Sequence, residues 1–187
     1  VGPLYAISYN TLKDQVLKDS QAAVNRGMSC LDMEIEVLQN IRLEMQNDTN
    51  FIRMKNLRSF EEVRQYIIFK DFANYFKAQT KTFVLASDAY IFFRSNNCVV
   101  SDKYQYDNME SIFNEHIIME GMDWNQFRNS LFEKKSEFDA RYVEDLYIDG
   151  EQQPSLVVSL SLSPSINQPE AVLVWIYSIA DLFEDMN

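Results

Sequence analysis

From Leu12 onward apolar side chains recur at helical steps. Leu12 and Val16 share a face, and Leu31, Ile35, Leu38, Ile41 and Met45 follow at intervals of three and four. The spacing predicts one long helix over residues 4–48, with Gly27 as its single weak point. At 1.5 Å per residue it spans about 65 Å, more than a small domain, so it is expected to protrude or to pair with a partner along part of its apolar stripe, the alternative being a helix packed wholly on its own domain. Asn47-Asp48-Thr49-Asn50 is a break. Ser59-Phe60-Glu61-Glu62 fits a capping box and opens a second helix to about Gln79. Phe60, Val63, Ile67, Ile68, Phe72, Tyr75 and Phe76 give that helix a wide apolar face, suited to lying on a sheet.

The period then changes to two. Phe83–Phe93 reads as a strand rich in aromatics, Asn96-Asn97 as a turn tolerant of positive φ, and Cys98–Ser101 as the returning strand of a hairpin. Asp107-Asn108-Met109-Glu110 and Asp123-Trp124-Asn125-Gln126 open two short helices, with Gly121 between them. Arg141–Ile148 reads as a third strand, and Asp149-Gly150 as a turn. Leu156, Val158, Leu160 and Leu162 alternate with Val157, Ser159 and Ser161, the pattern of a half-buried strand closed by Ser163-Pro164. In Ala171–Tyr177 both faces are apolar, so this strand is expected at the centre of the sheet and covered on both sides. Ser178 caps an exit helix carrying Ile179, Leu182 and Phe183. The expected architecture is α+β: a five-stranded antiparallel sheet, helices on one side, and a pocket between the strands and the inserted short helices. Residues 1–50 form the helical arm and 51–187 the domain it belongs to.

Composition narrows the function. The net charge is −11, and from residue 137 onward there are ten acids against one base, Arg141. That balance argues against nucleic acid as a direct partner and fits a solvated acidic face. No run of 18 apolar residues is present, so nothing here spans a membrane by itself. The chain starts with Val1 and ends just after an acidic cluster, as a fragment of a longer protein would. Cys30 and Cys98 are the only thiols and His116 the only histidine, none in a recognised nucleophile context. Cys30 and Cys98 could form one bridge, but are expected to be small buried hydrophobes. Phosphate-binding glycine loops, zinc motifs and the G-x-S-x-G elbow are absent. Asp145, Tyr147, Asp149 and Gly150 imitate the start of a calcium loop, but Leu156 stands where its bidentate Glu belongs. No cofactor, metal or catalytic residue is expected.

The arm Tyr9–Met45, the hairpin Ala89–Phe93 with Val99-Val100-Ser101, Trp124 followed by Leu131, and Ala171–Tyr177 running into Leu182-Phe183 together resemble a known family. The chain resembles the extracellular Cache (PAS-like) sensor domains of bacterial membrane receptors. It is most similar to those of membrane-anchored AraC-type transcription regulators and of sensor histidine kinases. The likeness is of pattern and covers nearly the whole chain. It implies flanking transmembrane helices, a homodimer through the N-terminal helix, a small-molecule ligand, and a signal leaving through the exit helix. The Arg-x-Tyr-x-x-Trp signature of amino-acid-binding Cache domains is not matched, since Arg141-Tyr142 lacks the Trp.

Tyr90, Phe92 and Arg94 alternate onto one strand face, and Trp124, Arg128, Tyr142 and Tyr147 are the other amphipathic candidates for a ligand pocket. Aromatic platforms with Arg and Tyr suit a sugar or an organic acid. Three readings compete: a ligand-sensing input domain, a structural or dimerisation module with no ligand, and a secreted enzyme, which would need a cleft of strongly perturbed carboxylates.

Overall fold

The stripe Leu31–Met45 lies on helix α1 (Gln21–Gln46), where Met28, Leu31, Ile35, Leu38, Ile41 and Met45 are buried. The computed structural model describes residues 21–133, 136–162 and 168–184. The expected start of the arm, with Leu12 and Val16, and the closing Ser163-Pro164 lie outside the described residues. The break at Asn47 is a single turn. Asp48 accepts the amides of Asn50 and Phe51, and the chain re-enters helix as α2 (Thr49–Lys55). Helix α3 (Val63–Thr80) starts later than expected, because Glu62 rather than Ser59 is its N-cap. Gln65 Oε1 accepts both the Glu62 amide at 3.1 Å and the Ser59 hydroxyl at 3.0 Å. Phe69, Phe72, Ala73 and Phe76 face the sheet, while Val63 and Ile67, expected on the apolar face, are exposed.

Strand β1 (Asp88–Phe93) begins five residues after Phe83, because the preceding segment is a loop held by α1. The hairpin partner β2 (Cys98–Ser101) follows a turn with Asn97 at φ 57°, and β3 (Gln105–Tyr106) adds a short edge strand. After α4 (Met109–Glu115), β4 (Ile117–Met119) and α5 (Trp124–Phe132), the segment expected to be one strand divides. Strand β5 (Phe138–Val143) joins the main sheet, and β6 (Leu146–Ile148) joins a separate three-stranded sheet with β4 and β7 (Glu151–Gln152). The last strands are β8 (Ser155–Leu162) and β9 (Ala171–Ser178), followed by α6 (Ile179–Glu184). The main sheet is antiparallel with the order β3-β2-β1-β9-β8-β5, so the expected five strands gain the edge strand β3.

Two cores sit on the two sheet faces. Ile91, Phe93, Leu156, Val158, Leu173, Trp175 and Tyr177 pack under α1, α2 and α3. Tyr90, Phe92, Val157, Val172, Val174 and Ile176 pack under α4, α5 and the small sheet. Strand β8 is therefore buried along its whole length instead of half-buried, and Ser155, Ser159 and Ser161 are buried with it. Strand β9 is central and covered on both sides, as its two apolar faces predict. Cys30 is exposed and Cys98 buried, and both are free thiols. Burial pushes the Cys98 thiol well above its usual range, so it stays protonated.

Candidate functional site

Helix α5 is set by its first turn. Asp123 accepts the Gln126 amide at 2.8 Å, and Gln126 accepts the Asp123 amide at 2.9 Å. The reciprocal cap fixes where the helix starts, and so turns Phe127, Leu131 and Phe132 onto the sheet. Between α5 and the sheet runs a cleft. Met119, Phe127 and Leu131 bound it from the inserted layer, and Val157 and Val174 from the sheet. Its polar lining is Ser130, Ser159 and Arg141. The volume is about 20 Å³, enough for a water molecule or so.

Arg141 is the one charged residue lining this cleft. Its Nη2 and Nε donate to Asp139 Oδ2 at 3.0 and 3.3 Å, an ion pair between neighbours on the same face of β5. Strand register explains the placement. Arg141 pairs with Val157, whose side chain faces the inserted layer, whereas Tyr142 pairs with Leu156, which faces α1.

The residues selected from sequence separate accordingly. Tyr90, Phe92 and Trp124 come together in the core between the sheet and α5. Phe127 links them, with its ring centroid 5.7 Å from Phe92 and 6.1 Å from Trp124. Arg128 lies over the Phe132 ring at 5.7 Å, on the same helix. Tyr147 is half-buried on β6, opposite Ile118. Arg94 stands just after β1, where its amide bonds to the Glu170 carbonyl at 2.9 Å. Tyr142 packs with the core on the opposite face, away from the rest.

Sequence reasoning missed Arg141 as a lining residue. The alternation along β5 carried the signal, but only the pairing with β8 tells which parity faces α5. It also missed a polar cluster at the other end of the inserted layer. His116 Nδ1 lies 2.6 Å from Asp149 Oδ1, its Nε2 lies 2.5 Å from the Tyr106 hydroxyl, and the Tyr104 ring stacks on it at 4.0 Å. Both ring nitrogens of His116 are thereby engaged. Asp149 (φ 51°) and Gly150 (φ 85°) form the expected turn between β6 and β7, and that turn delivers the carboxylate to His116. Among the described residues no group of acids, histidines or cysteines is arranged to hold a metal ion.

No protein-family model and no curated protein matches the chain. Solved structures do match. The sensor domain of the histidine kinase DctB from V. cholerae superposes with a TM-score of 0.52 at 12% identity, over 95% of this chain and 58% of that one. A domain of a sensory box/GGDEF family protein from Vibrio parahaemolyticus superposes with a TM-score of 0.51 at 12% identity, over 96% of this chain and 65% of that one. The chain thus spans less than two thirds of either structure. At this identity the likeness is one of fold alone, an α+β fold of the PAS-like (Cache) type with its antiparallel sheet and flanking helices.

Proposed function

We propose that the chain is the extracellular ligand-sensing input domain of a bacterial transmembrane signalling protein. The observation that carries this reading is the cleft between α5 and the main sheet, apolar except for Arg141, Ser130 and Ser159. Ligand pockets are mostly apolar with a few convergent polar groups, and this cleft has such a lining at a far smaller volume. Of the two ligand classes the aromatic and Arg content suits, Arg141 favours a small organic acid over a sugar. A carboxylate would take the guanidinium from Asp139 in a bidentate pair. None of the residues selected from sequence lines the closed cleft: Tyr90 and Phe92 stand on the sheet side of the same core, Trp124 and Arg128 on α5, Tyr147 on β6, and Arg94 and Tyr142 lie outside it. Among the described residues no helix is long and apolar enough to cross a membrane, so the flanking membrane helices are part of the proposal.

The cleft is smaller than an organic acid, so binding requires α5 to move from the sheet. Helices α1 and α6 pack on each other, and Leu182 of α6 shares the α1 core. A ligand that binds the opened cleft better than the closed one shifts the population, and the shift leaves through these helices. The output is an AraC-type regulator or a histidine kinase, as the family resemblance implies. Thermal-shift titration of the chain with organic acids and sugars tests the reading. A dose-dependent rise with one organic-acid class, lost in Arg141→Gln, is expected. No rise with any acid, or a rise unchanged in Arg141→Gln, overturns the assignment.

A second reading, a dimerisation module, has its own observation. Met33 and Val37 on α1 and Val84 beside them are exposed along an apolar groove of about 330 Å³. A second copy pairing along α1 would cover them. Light scattering after size exclusion should show a dimer that Val37→Glu dissociates, and a monomer at all concentrations would reject it.

A further inference from the structure

A groove of about 480 Å³ lies in the inserted layer, between α4, β4 and the start of α5. It shares no lining residue with the α5 cleft. Unlike that cleft it is already ligand-sized, since binding pockets run from about 300 to 1,000 Å³. Its floor is apolar. Phe113 is buried, Met122 and Trp124 are half-buried, and Ile118 is 44% exposed. Phe113 and Phe127 meet the Trp124 indole at 5.9 and 6.1 Å, tilted by 49° and 42°, so neither ring lies flat on it. The rim is polar and exposed, with Glu110 and Asn114 on α4 and Asp123 and Asn125 at the start of α5. Its groups are uncommitted. Among the described residues the side chains of Glu110, Asn114 and Asn125 make no hydrogen bond or ion pair, and Asp123 uses only Oδ1, to cap α5. The Trp124 indole N–H also has no partner among the described residues and, unlike that of Trp175, is open to solvent.

We infer that this groove binds a neutral pyranose sugar. The face of a pyranose is a set of C–H groups carrying slight positive charge, and it would lie on the Trp124 indole, whose π face is negative. The ring hydroxyls would donate to Glu110 and to Asp123 Oδ2, and would accept from the Asn114 and Asn125 amides and the Trp124 N–H. A hydroxyl both donates and accepts, so a polyol uses every polar group of the rim. The other classes do not. Two carboxylates and no Lys or Arg line the groove, so an anion is repelled. A cation offers no acceptor to the indole N–H or to the two amides. A purely apolar guest covers the floor and pairs with nothing on the rim.

The test is a titration of the ¹⁵N-labelled chain with maltose, cellobiose, lactose and xylobiose in turn, followed by the indole N–H resonances of Trp124 and Trp175. The Trp124 resonance is assigned by its loss in Trp124→Phe. Glycerol at matched mass concentration is the control for a polyol without a ring, and choline chloride the control for a cation. A saturable shift of the Trp124 resonance with at least one sugar is expected, with Trp175, buried on the other face of the sheet, unmoved. Asn114→Ala with Asn125→Ala, two exposed positions whose change leaves the core intact, should weaken that binding about tenfold or more. Flat titrations with all four sugars, a shift that glycerol reproduces, or an affinity unchanged in the double variant overturns the inference. Saturation by choline with no response to sugar would make the groove a cation site and overturns it equally. None of these outcomes bears on the Arg141 cleft, whose proposed ligand is an acid and whose lining is separate.

Discussion

The carboxylate of Glu34 on α1 accepts the backbone amide of Val84, fifty residues later, at 2.8 Å. The same oxygen accepts the Leu85 amide at 2.9 Å. Two successive amides of the loop that enters β1 are thus gripped by one side chain of the long helix. This loop carries Phe83 against Trp175, so α1 indirectly sets the entry of the sheet.

Glu34→Ala should therefore cost about 1–3 kcal/mol, since two charge-assisted bonds to backbone donors are lost at a partly exposed site. Glu34→Gln retains an acceptor oxygen and should lose less than half as much. Urea unfolding of the two variants checks the order. Equal losses would show that the negative charge, and not the packing or the acceptor oxygen alone, holds the loop.

Phe93 joins the sheet to two helices. It meets Phe72 of α3 edge to face at 5.1 Å and Phe51 of α2 at 5.8 Å. Phe93→Ala removes a fully buried ring and leaves a cavity, at a cost of about 3–5 kcal/mol. The thermal midpoint should fall by about 6–20 °C, read by circular dichroism. Val63→Ala, at an exposed position of α3, should change stability by less than about 0.5 kcal/mol.

Alkaline pH should unfold the domain early. Burial first, then the Asp48 and Glu44 charges, pushes the Tyr75 phenol up to about 12. Burial also drives Tyr90 and Tyr177 upward, helped by the Asp88 charge at Tyr90 and the Glu34 charge at Tyr177. A folded-state value above the unfolded value of about 10 means that the unfolded chain releases protons first. The stabilisation is complete below about pH 10 and is lost as pH rises toward the folded values. Urea midpoints from about pH 8 to 11, with tyrosinate absorbance recorded alongside, should fall together above about pH 10. Tyrosines that ionise without loss of structure would contradict this.

Asp88 should give the opposite end of the profile its shape. Burial raises its carboxyl, and the Lys103 hydrogen bond and charge only partly offset that. Its contribution is full below its unfolded value of 3.8 and is lost as pH rises through the higher folded value. Asp88→Asn should flatten stability over that window and be neutral or slightly stabilising at neutral pH. A marked loss at neutral pH would show that the Lys103 pair outweighs the burial of the charge.

Local turn chemistry has its own signature. Gly150 sits at φ 85° with open space where a methyl group would project, so Gly150→Ala meets backbone strain and no clash. A cost of about 1 kcal/mol is expected, and Asp123→Ala, which removes the α5 cap, should cost a similar amount. Thermal melts of both variants check this, and a larger effect of Gly150→Ala would point to the Asp149–His116 contact being lost as well.

What the amino-acid sequence decided by itself is local. The two faces of β9, the alternation along β1 and β8, the Asn97 and Asp149-Gly150 turns and the Asp123 cap all follow from residues two to four positions apart. Steric limits on φ, side-chain periodicity and capping act at that range, so these features were legible. The tertiary structure decided the rest. Whether Arg141 or Tyr142 faces α5 depends on the register of β5 against β8, and the division of Arg141–Ile148 depends on β4 offering β6 a second sheet. The burial of Ser159 and Ser161 depends on layers supplied by segments far earlier in the chain. Glu34 meets Val84, and Phe93 meets Phe51, only after loops of about forty to fifty residues have closed. No local propensity encodes such meetings. They are fixed by which apolar faces bury each other, because that burial is what offsets the entropy of closing the loops.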